Sequence, residues 1–210
     1  MAQVVRPYRG VSADERRAER RARLIEAALD EIGSEGIART TMTAVCARAG
    51  LTERYFYESF RDRAELLTAV FEAFSAEADA AILGRVAAAP PDLLERCRAG
   101  VGALIEILTD DPRKARAFAE GIGTEAQKAQ RERSLGLYAA ALAEEMRRLA
   151  GLGALRHAAA LRVATITLVA GTGEVVTHWL DGDIELSRDE LIDVCARMCV
   201  AAADALGGGS

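Results

Sequence analysis

The segment from Thr41 to Leu67 constrains the fold most strongly, because it reads as two short helices separated by a glycine turn. The hydroxyl of Thr41 can accept a backbone N–H that the first helical turn would leave unpaired. Gly50 ends this helix, since glycine adopts the left-handed conformation that a sharp C-terminal turn requires. Thr52 stands as the N-cap of a second run, Glu53 to Phe60. This order predicts a helix-turn-helix, whose second helix can enter a DNA major groove.

Apolar residues recur at spacings of three and four through this segment, which predicts one buried face on each helix. We expect them to hold the two helices in place rather than to contact a partner. They are Met42, Val45, Cys46, Ala49, Leu51, Phe56 and Phe60. Asp62 then begins a third helix with an acidic cap.

The same residues resemble the DNA-binding signature of TetR-type transcriptional regulators. The resemblance covers about 27 positions and includes an aromatic block, so it is much more specific than a glycine turn alone. It is carried by Thr41-x-x-x-Val45-x-x-x-Ala49-Gly50-Leu51-Thr52 and Phe56-Tyr57-x-x-Phe60-x-x-Arg63-x-Glu65-Leu66-Leu67. It implies a three-helix head followed by a C-terminal helical bundle, about nine helices in all.

Composition independently favours helix. Half of the 210 residues are hydrophobic and only 5% are aromatic, so Ala, Leu, Val and Ile must build the core. Ala, Leu, Arg and Glu are good helix formers, and no alternating Val/Ile/Thr-rich run predicts a sheet. We therefore predict an all-α fold. We find neither an apolar stretch of the roughly 18–20 residues needed to cross a bilayer nor a signal peptide, and expect a soluble, cytoplasmic protein without a membrane partner.

Breaker and capping residues divide the chain into four expected regions. Residues 1–10 form a flexible arm, in which Arg6 and Arg9 either reach a minor groove or have no role. Residues 11–63 form the helix-turn-helix domain, 64–206 a ligand-sensing and dimerisation domain, and 207–210 a disordered tail. Further helices are expected from near Ser12 to Gly36, Asp62 to Ala89, after Asp92, from Pro112, about Glu125 to Ala150, His157 to Leu180 and after Ser187.

The net charge of −5 argues at first against a nucleic-acid partner, but its distribution weakens that objection. Residues 1–63 hold 12 Lys or Arg against 10 Asp or Glu, a balance of +2 that leaves −7 for the rest. A basic zone on an acidic chain suits a protein that presents one end to phosphates. Charge alone also fits a solvated helix face, so the motif decides for double-stranded DNA as the partner.

Six residues are expected to contact DNA. The hydroxyls of Thr43 and Thr52 lie near helix N-termini, where phosphate oxygens bind well. Arg54 can read guanine with its two-pronged guanidinium, and Tyr55 lies beside it at the end that meets base edges. The resemblance implies phosphate contacts for two more residues, Tyr57 and Arg63.

Two acidic residues depart from the family pattern. Glu53 stands where a basic residue is frequent, and Glu58 adds a second acid to the predicted recognition helix. A carboxylate near phosphates costs affinity unless it accepts from cytosine or pairs with an arginine. Arg54 or Arg61 is the expected partner.

The last two helices have broad apolar faces. The span from His157 to Leu180 has no charge between Arg162 and Glu174, so we expect it to be buried on most of its circumference. The small residues of Gly171-Thr172-Gly173 let another helix approach closely. The resemblance implies that residues of about 157–205 pair with a second copy in a homodimer.

The C-terminal region is rich in Ala, Gly and Leu, and small residues leave room for an apolar ligand pocket. Polar residues on otherwise apolar helices are the candidates to orient a ligand, although a helical threonine usually bonds its own backbone carbonyl. They are Tyr138, Thr165, Thr172, Glu174, Thr177 and His178. The resemblance implies that a small apolar effector shifts the long linking helix and releases a repressor from a palindromic operator with half-sites about 34–36 Å apart.

Other chemistries are weakly represented. His157 and His178 lack neighbours at metal-ligand spacing, so no metal site is predicted. Cys195 and Cys199 are four residues apart and share a helical face. They could form a redox pair or part of a metal site, but cysteines in this arrangement are more often small core residues. No phosphate loop or nucleophile motif suggests a cofactor or an enzyme. The alternatives to a regulator are a helical ligand-binding or scaffolding dimer with weakened DNA binding, and an enzyme that depends on Glu174 or His178.

Overall fold

The computed structural model describes residues 12–121, 125–152 and 158–207, and all regular structure in these ranges is helical. The predictions for the arm 1–10 with Arg6 and Arg9, for His157, and for residues 208–210 concern residues outside these ranges. The described elements are α1 Ala13–Glu35, a 3-10 turn Ile37–Arg39, α2 Met42–Ala49, α3 Glu53–Tyr57, α4 Arg63–Ala88, α5 Leu93–Asp110, α6 Pro112–Gly121, α7 Glu125–Leu149, α8 Ala158–Leu180 and α9 Arg188–Gly207. The all-α prediction is confirmed, and Gly207 ends α9 rather than beginning a tail.

The chain forms two compact units. The first comprises Met1–Ala73 and Pro112–Gln127, and the second comprises Phe74–Asp111 and Lys128–Ser210. The predicted boundary between residues 63 and 64 falls inside the first unit and stays a prediction. The start of α4 and the whole of α6 belong with the N-terminal helices, because both pack on them.

The caps predicted from the sequence form in the first unit. The hydroxyl of Ser12 accepts from the N–H of Glu15, whose carboxylate accepts in return from the N–H of Ser12. The Thr41 hydroxyl accepts from the N–H of Ala44 at 3.2 Å. Gly50 has a φ of 62°, the left-handed conformation that the turn requires. Local chemistry thus determines where α1 and α2 begin and where α2 ends.

The second helix of the motif differs from the expectation in two ways. Thr52 stands at the N-cap of α3, but its side chain makes no capping hydrogen bond. The helix ends at Tyr57 instead of Phe60, and the N–H of Phe60 bonds the carbonyl of Phe56 at 2.8 Å in the turn that follows. Asp62 caps α4 as expected, through the N–H of Glu65 at 2.9 Å.

One apolar core holds the first unit together. Its residues come from α1, the 3-10 turn, α2, α3, the start of α4 and α6. The members buried to 2% exposure or less are Leu24, Ala28, Ile32, Val45, Phe56, Phe60, Leu66, Val70, Phe71 and Ala117. Val45, Phe56 and Phe60 of this set were predicted from the apolar spacing in the sequence.

In the second unit α9 packs on both α5 and α8. The core between α5, α7, α8 and α9 is built around residues of 1% exposure or less, which are Met146, Leu161, Ala196 and Ala203. The prediction that α8 is buried on most of its circumference is wrong for the single chain. Val163 is 67% exposed and Ile166 is 37% exposed, because α9 covers only one side of this apolar helix.

The expectation that no stretch has the length and composition of a membrane span is also wrong for one helix. Ala158–Leu180 meets both criteria, and only 17% of its most apolar window is buried. The expectation failed because glycine and threonine interrupt the apolar residues without adding charge. One such helix is weak support for a span, since a helix that packs against another protein chain has the same composition.

Candidate nucleic-acid interface and candidate ligand site

The short helix α3 is held in place by its aromatic residues. Phe56 is fully buried, and Phe60 is 2% exposed in the turn after the helix. Their ring centroids lie 5.7 Å apart, within the favourable range for aromatic pairs. A helix of only five residues is not stable by itself, so these two rings determine where its other side chains point.

The exposed face of α3 carries three of the residues predicted to contact DNA. The side chain of Arg54 is 84% exposed, Tyr57 is 59% exposed and Tyr55 is 37% exposed. Thr52 is exposed at the N-terminus of the same helix. Thr43 lies on α2 with its hydroxyl 3.4 Å from the carboxylate of Glu53. Five of the six predicted residues therefore lie on α3, its cap and the facing part of α2.

The acid at position 58 is paired with arginines. Arg54 Nε lies 3.3 Å from one oxygen of Glu58, and Arg20 of α1 lies 3.5 Å from the other. The Arg20 guanidinium also sits 4.6 Å from the centroid of the Tyr55 ring. The expected pairing of Glu58 is confirmed for Arg54, whereas Arg61 pairs with Glu65 at 3.0 Å. Arg20 is a partner that sequence reasoning missed.

Two further arginines of α1 contact the helix-turn-helix. Arg23 donates to the carbonyl of Ala49 at 2.5 Å, at the C-terminal end of α2. The guanidinium of Arg21 lies 4.8 Å from the centroid of the Phe60 ring. These contacts occupy part of the basic zone that was expected to face phosphates. The arginine-rich sequence of α1 therefore also stabilises the motif.

Arg63 lies at the start of α4 and contacts the segment before α2. Its Nε donates to the carbonyl of Thr40 at 2.5 Å, and its Nη2 donates to the carbonyl of Ile37. Both residues are buried, so these bonds satisfy carbonyls that water does not reach. A phosphate contact, which stays a prediction, would have to use the remaining donors of the same guanidinium.

α6 packs against α1 through charged side chains. Arg113 lies 2.7 Å from the carboxylate of Glu26 and also pairs with Asp30. Glu26 and Asp30 are four residues apart on α1, so they share one face of that helix. This spacing, opposite the arginines of α6, is the signal that sequence reasoning overlooked.

The contact continues beyond the end of α1. Arg116 donates to the carbonyls of Gly33 at 3.2 Å and Ser34 at 3.0 Å, where the helix leaves carbonyls unpaired. Glu120 accepts from the N–H of Ile37 at 2.7 Å. Burial raises the pKa of Glu120, but hydrogen bonds from Arg116 and Ile37 outweigh it and hold this pKa below its ordinary value. α6 therefore contacts the turn that leads into α2.

The predicted ligand residues of the second unit do not form one group. The hydroxyl of Tyr138 is half-buried and donates to Asp79 Oδ1 at 2.5 Å. Thr165 and Thr177 bond carbonyls of their own helix, at Arg162 and Gly173, which is the alternative that the sequence left open. Thr172 lies beside the Cys195 thiol, whose pKa is raised chiefly by burial. Thr165 and Thr177 therefore have partners on their own helix, whereas the partner of Thr172 is on α9.

Glu174 and His178 lie on the surface of the second unit. The Glu174 side chain is 54% exposed and is 3.4 Å from Arg131. The His178 side chain is 52% exposed, with Nδ1 3.0 Å from Asp183, and this hydrogen bond raises its pKa. Neither side chain enters the interior of the single chain, and their role in ligand binding stays a prediction.

The cysteines of the second unit are free and buried. The neighbouring thiol of Cys199 on α9, together with burial, raises the pKa of Cys97 on α5. Cys97 and Cys199 both belong to the apolar core, which agrees with the interpretation of cysteines as small core residues. Within the described ranges, no three His, Cys, Asp or Glu side chains are grouped so that they could hold a metal ion.

Comparison with known proteins supports the assignment of the N-terminal region. Residues 24–70 match the family described as bacterial regulatory proteins, tetR family. No curated protein matches the sequence closely enough to count as a relative.

Solved structures match the fold over most of the chain. The fatty acid degradation regulator FadR from Bacillus halodurans has a TM-score of 0.71 at 20% identity, covering 86% of this chain and 94% of that one. FadR from Bacillus subtilis, in complex with stearoyl-CoA, has a TM-score of 0.72 at 16% identity, with coverages of 86% and 98%. A tetR-family regulator from Streptomyces coelicolor has a TM-score of 0.72 at 17% identity, with coverages of 90% and 83%. At these identities the similarity establishes the fold.

Proposed function

We propose that this chain, which carries the N-terminal DNA-binding domain of the tetR family of transcriptional regulators, is a homodimeric repressor released from its operator by a small molecule. The observation that carries the proposal is the exposed face of α3. Arg54, Tyr55 and Tyr57 project from a helix whose position is held by the buried ring of Phe56. This arrangement suits entry of α3 into a major groove.

In this proposal, different residues contact the bases and the phosphates of DNA. Arg54 reads guanine. Its exposed guanidinium has only to break its ion pair with Glu58 in order to donate hydrogen bonds to the base. Thr43, Thr52 and Tyr57 position the helix through phosphates, as does Arg63 with its remaining donors. Pairing with Arg20 and Arg54 neutralises Glu58 and reduces its repulsion of phosphates.

A homodimer is supported by the exposed apolar surface of α8 and α9. Val163 and Ile166 on α8 and Val194 and Met198 on α9 are all between 37% and 67% exposed in the single chain. Large apolar side chains that cluster on two adjacent helices mark an interaction surface. Pairing of these helices with their copies, through residues of about 157–205, would cover them and would account for α8 without a membrane.

A small molecule bound in the second unit is the proposed effector. A neighbour in fold, FadR from Bacillus subtilis, was solved with stearoyl-CoA, so a bundle of this type can hold a ligand with a long apolar chain. We place the effector in the second unit and infer that it changes the spacing of the two heads in the dimer. A cytoplasmic location follows from the DNA partner.

The experiment that tests the function is selection of bound duplexes from a random DNA library, followed by affinity measured against salt. We expect a palindrome with half-sites about 34–36 Å apart, and affinity that falls steeply with salt. Arg54→Ala should lose sequence preference, whereas Arg147→Ala, which removes the same charge from exposed α7, should not.

The competing hypothesis is a helical ligand-binding or scaffolding dimer with weakened DNA binding. Glu53 supports it, because its exposed carboxylate has a threonine rather than an arginine as its hydrogen-bond partner. Recovery of no sequence from the library, with only weak binding that disappears at moderate salt, would decide for this hypothesis. The Glu53→Gln variant tests whether the Glu53 carboxylate is the cause. If it is, this variant should bind DNA more tightly than the parent protein.

A further inference from the structure

Glu58, the residue that follows α3, lies between two arginines from different helices. Arg54, one turn earlier on α3, donates from Nε to Glu58 Oε1 at 3.3 Å. Arg20 of α1 donates from Nη2 to Glu58 Oε2 at 3.5 Å. Both distances are longer than the roughly 2.7–2.9 Å of a strong charge-assisted hydrogen bond. The carboxylate is therefore shared, and neither ion pair has the strongest geometry.

The two arginines differ in their exposure to solvent. The side chain of Arg54 is 84% exposed, whereas those of Arg20 and Glu58 are 22% and 29% exposed. Water and salt weaken an exposed ion pair more than a sheltered one. The pair between Arg20 and Glu58 should therefore persist when Arg54 leaves Glu58 for a base.

Two further observations concern the position of Arg20. Its Cζ lies 4.6 Å from the centroid of the Tyr55 ring, a cation–π contact. Its Nε is buried and makes no hydrogen bond within the described part of the chain. A buried donor without an acceptor lowers stability, so this side chain does not lie where all of its donors are satisfied. It lies instead where its guanidinium contacts both Tyr55 and Glu58 of the recognition segment.

We propose that Arg20 is a positioning residue for DNA sequence recognition, which holds the Glu58 carboxylate and so frees Arg54 to read a base. Without Arg20, Glu58 keeps one of the two arginine partners that the structure describes. Departure of Arg54 would then leave a carboxylate without a cation near the DNA phosphates, which repel it. The inference rests on the proposed function, because it assigns a residue of α1 to recognition by α3.

The test measures binding of the full-length protein to the selected duplex and to the same duplex with one base pair changed. The changed pair is the one at which Arg54→Ala loses discrimination. Arg20→Ala should lower the ratio of the two affinities by about fivefold, the upper end for a partly exposed ion pair. The slope of affinity against salt should stay the same. An unchanged ratio would overturn the proposal, and a salt slope smaller by about one would then identify a direct phosphate contact.

A second substitution separates positioning from packing of α1 on α3. In the double variant Arg20→Ala, Glu58→Gln, no charge at position 58 holds Arg54, so the affinity ratio should return to within about twofold of the parent. Loss of packing would not be repaired by an amide at this position. A ratio that stays low in the double variant would refute the path through Glu58.

Two single variants complete the set. Arg20→Met keeps an apolar stem against Tyr55 and removes the charge, so it should lower the ratio as Arg20→Ala does, even if the alanine variant does not fold. Arg17→Ala is the matched control, because it removes the same charge from an exposed position of α1 and should leave the ratio unchanged. An equal loss of discrimination in Arg17→Ala would show a general effect of charge and would overturn the role of Arg20.

A measurement without DNA separates this inference from the proposed function. Exchange of the Arg54 Nε–H with water, followed by NMR of protein labelled with ¹⁵N at arginine Nε, reports how firmly Glu58 holds Arg54. Exchange should be about twofold to fivefold slower in Arg20→Ala than in the parent, since Glu58 then has Arg54 alone to pair with. Equal or faster exchange would overturn the inference even in a protein that selects one DNA sequence. Slower exchange in a protein that selects no sequence would support the pairing and contradict the proposed function.

Discussion

Substitution of Gly33 by alanine tests the packing of α6 on α1. The free energy of unfolding should fall if the two helices are in contact and rise if they are not. Gly33 lies in the last turns of α1. A Cβ at this position would lie 2.5 Å from Cγ and 2.8 Å from Cβ of Arg113, and 3.2 Å from its Cα. Rotation of the Arg113 side chain moves Cγ but not the backbone of α6. The substitution therefore forces the two helices apart.

The magnitude follows from two opposing effects. Alanine is more favourable than glycine inside a helix by up to about 1 kcal/mol. Overpacking of a close contact costs about 1–3 kcal/mol. We expect Gly33→Ala to lower the free energy of unfolding by roughly 0–2 kcal/mol, the difference between these ranges. If α6 does not lie against α1 in solution, only the helix term remains and the variant is more stable than the parent.

The matched control is Gly136→Ala on α7, where no atom lies within 4 Å of the added Cβ. This variant should gain up to about 1 kcal/mol. Urea unfolding followed by circular dichroism gives both free energies under the same conditions. A stabilising effect in both variants would refute the packing of α6 on α1. Because α6 also contacts the turn before α2, Gly33→Ala should in addition weaken DNA binding, whereas Gly136→Ala should not.

Four further predictions concern DNA binding, the dimer and the dependence of stability on pH. Arg54→Ala should cost about 1–3 kcal/mol of binding free energy at one base pair and relax specificity there, and a selection repeated with the variant measures this. Arg63→Ala should weaken binding to all sequences and also lower the melting temperature, because the buried carbonyl of Thr40 loses its donor and that of Ile37 keeps only the N–H of Thr40; unchanged thermal stability would contradict the observed hydrogen bonds. Met198→Glu should give a monomer in analytical ultracentrifugation, since a carboxylate buried between copies is costly, while a dimer that survives would place the interface elsewhere. The pKa of Glu120 is lowered in the folded state, so its stabilisation is complete above the ordinary glutamate pKa of about 4.3 and is lost as pH falls through the folded value. Glu120→Gln should remove this part of the acid dependence, so acid titrations of the two proteins that show the same loss of stability would contradict the prediction.

The sequence predicted the helix-turn-helix well because its signals are local. The Thr41 cap, the Gly50 turn and the Asp62 cap all form where residue chemistry places them. Periodicity also identified the buried rings of Phe56 and Phe60. A cap involves groups three or four residues apart, so one short window contains the whole interaction.

The candidate ligand residues were harder to predict. Tyr138 was recognised as a polar residue on an apolar helix, but its partner Asp79 lies 59 positions away. Glu174 and His178 were expected inside and lie on the surface, although Val176 and Thr177 between them are buried. Periodicity indicates that a helix has an apolar face, but it does not identify what covers that face.

The sequence by itself determined the helical class of this protein, the order of its helices and the residues that project from α3. Only the tertiary structure decided which distant side chains meet. It grouped α6 with the N-terminal unit, gave Glu58 the second partner Arg20 and directed Arg63 to two backbone carbonyls. The physical reason is that capping and helix propensity act within one or two turns. Ion pairs and packing between helices depend on distances that exist only after the chain has folded.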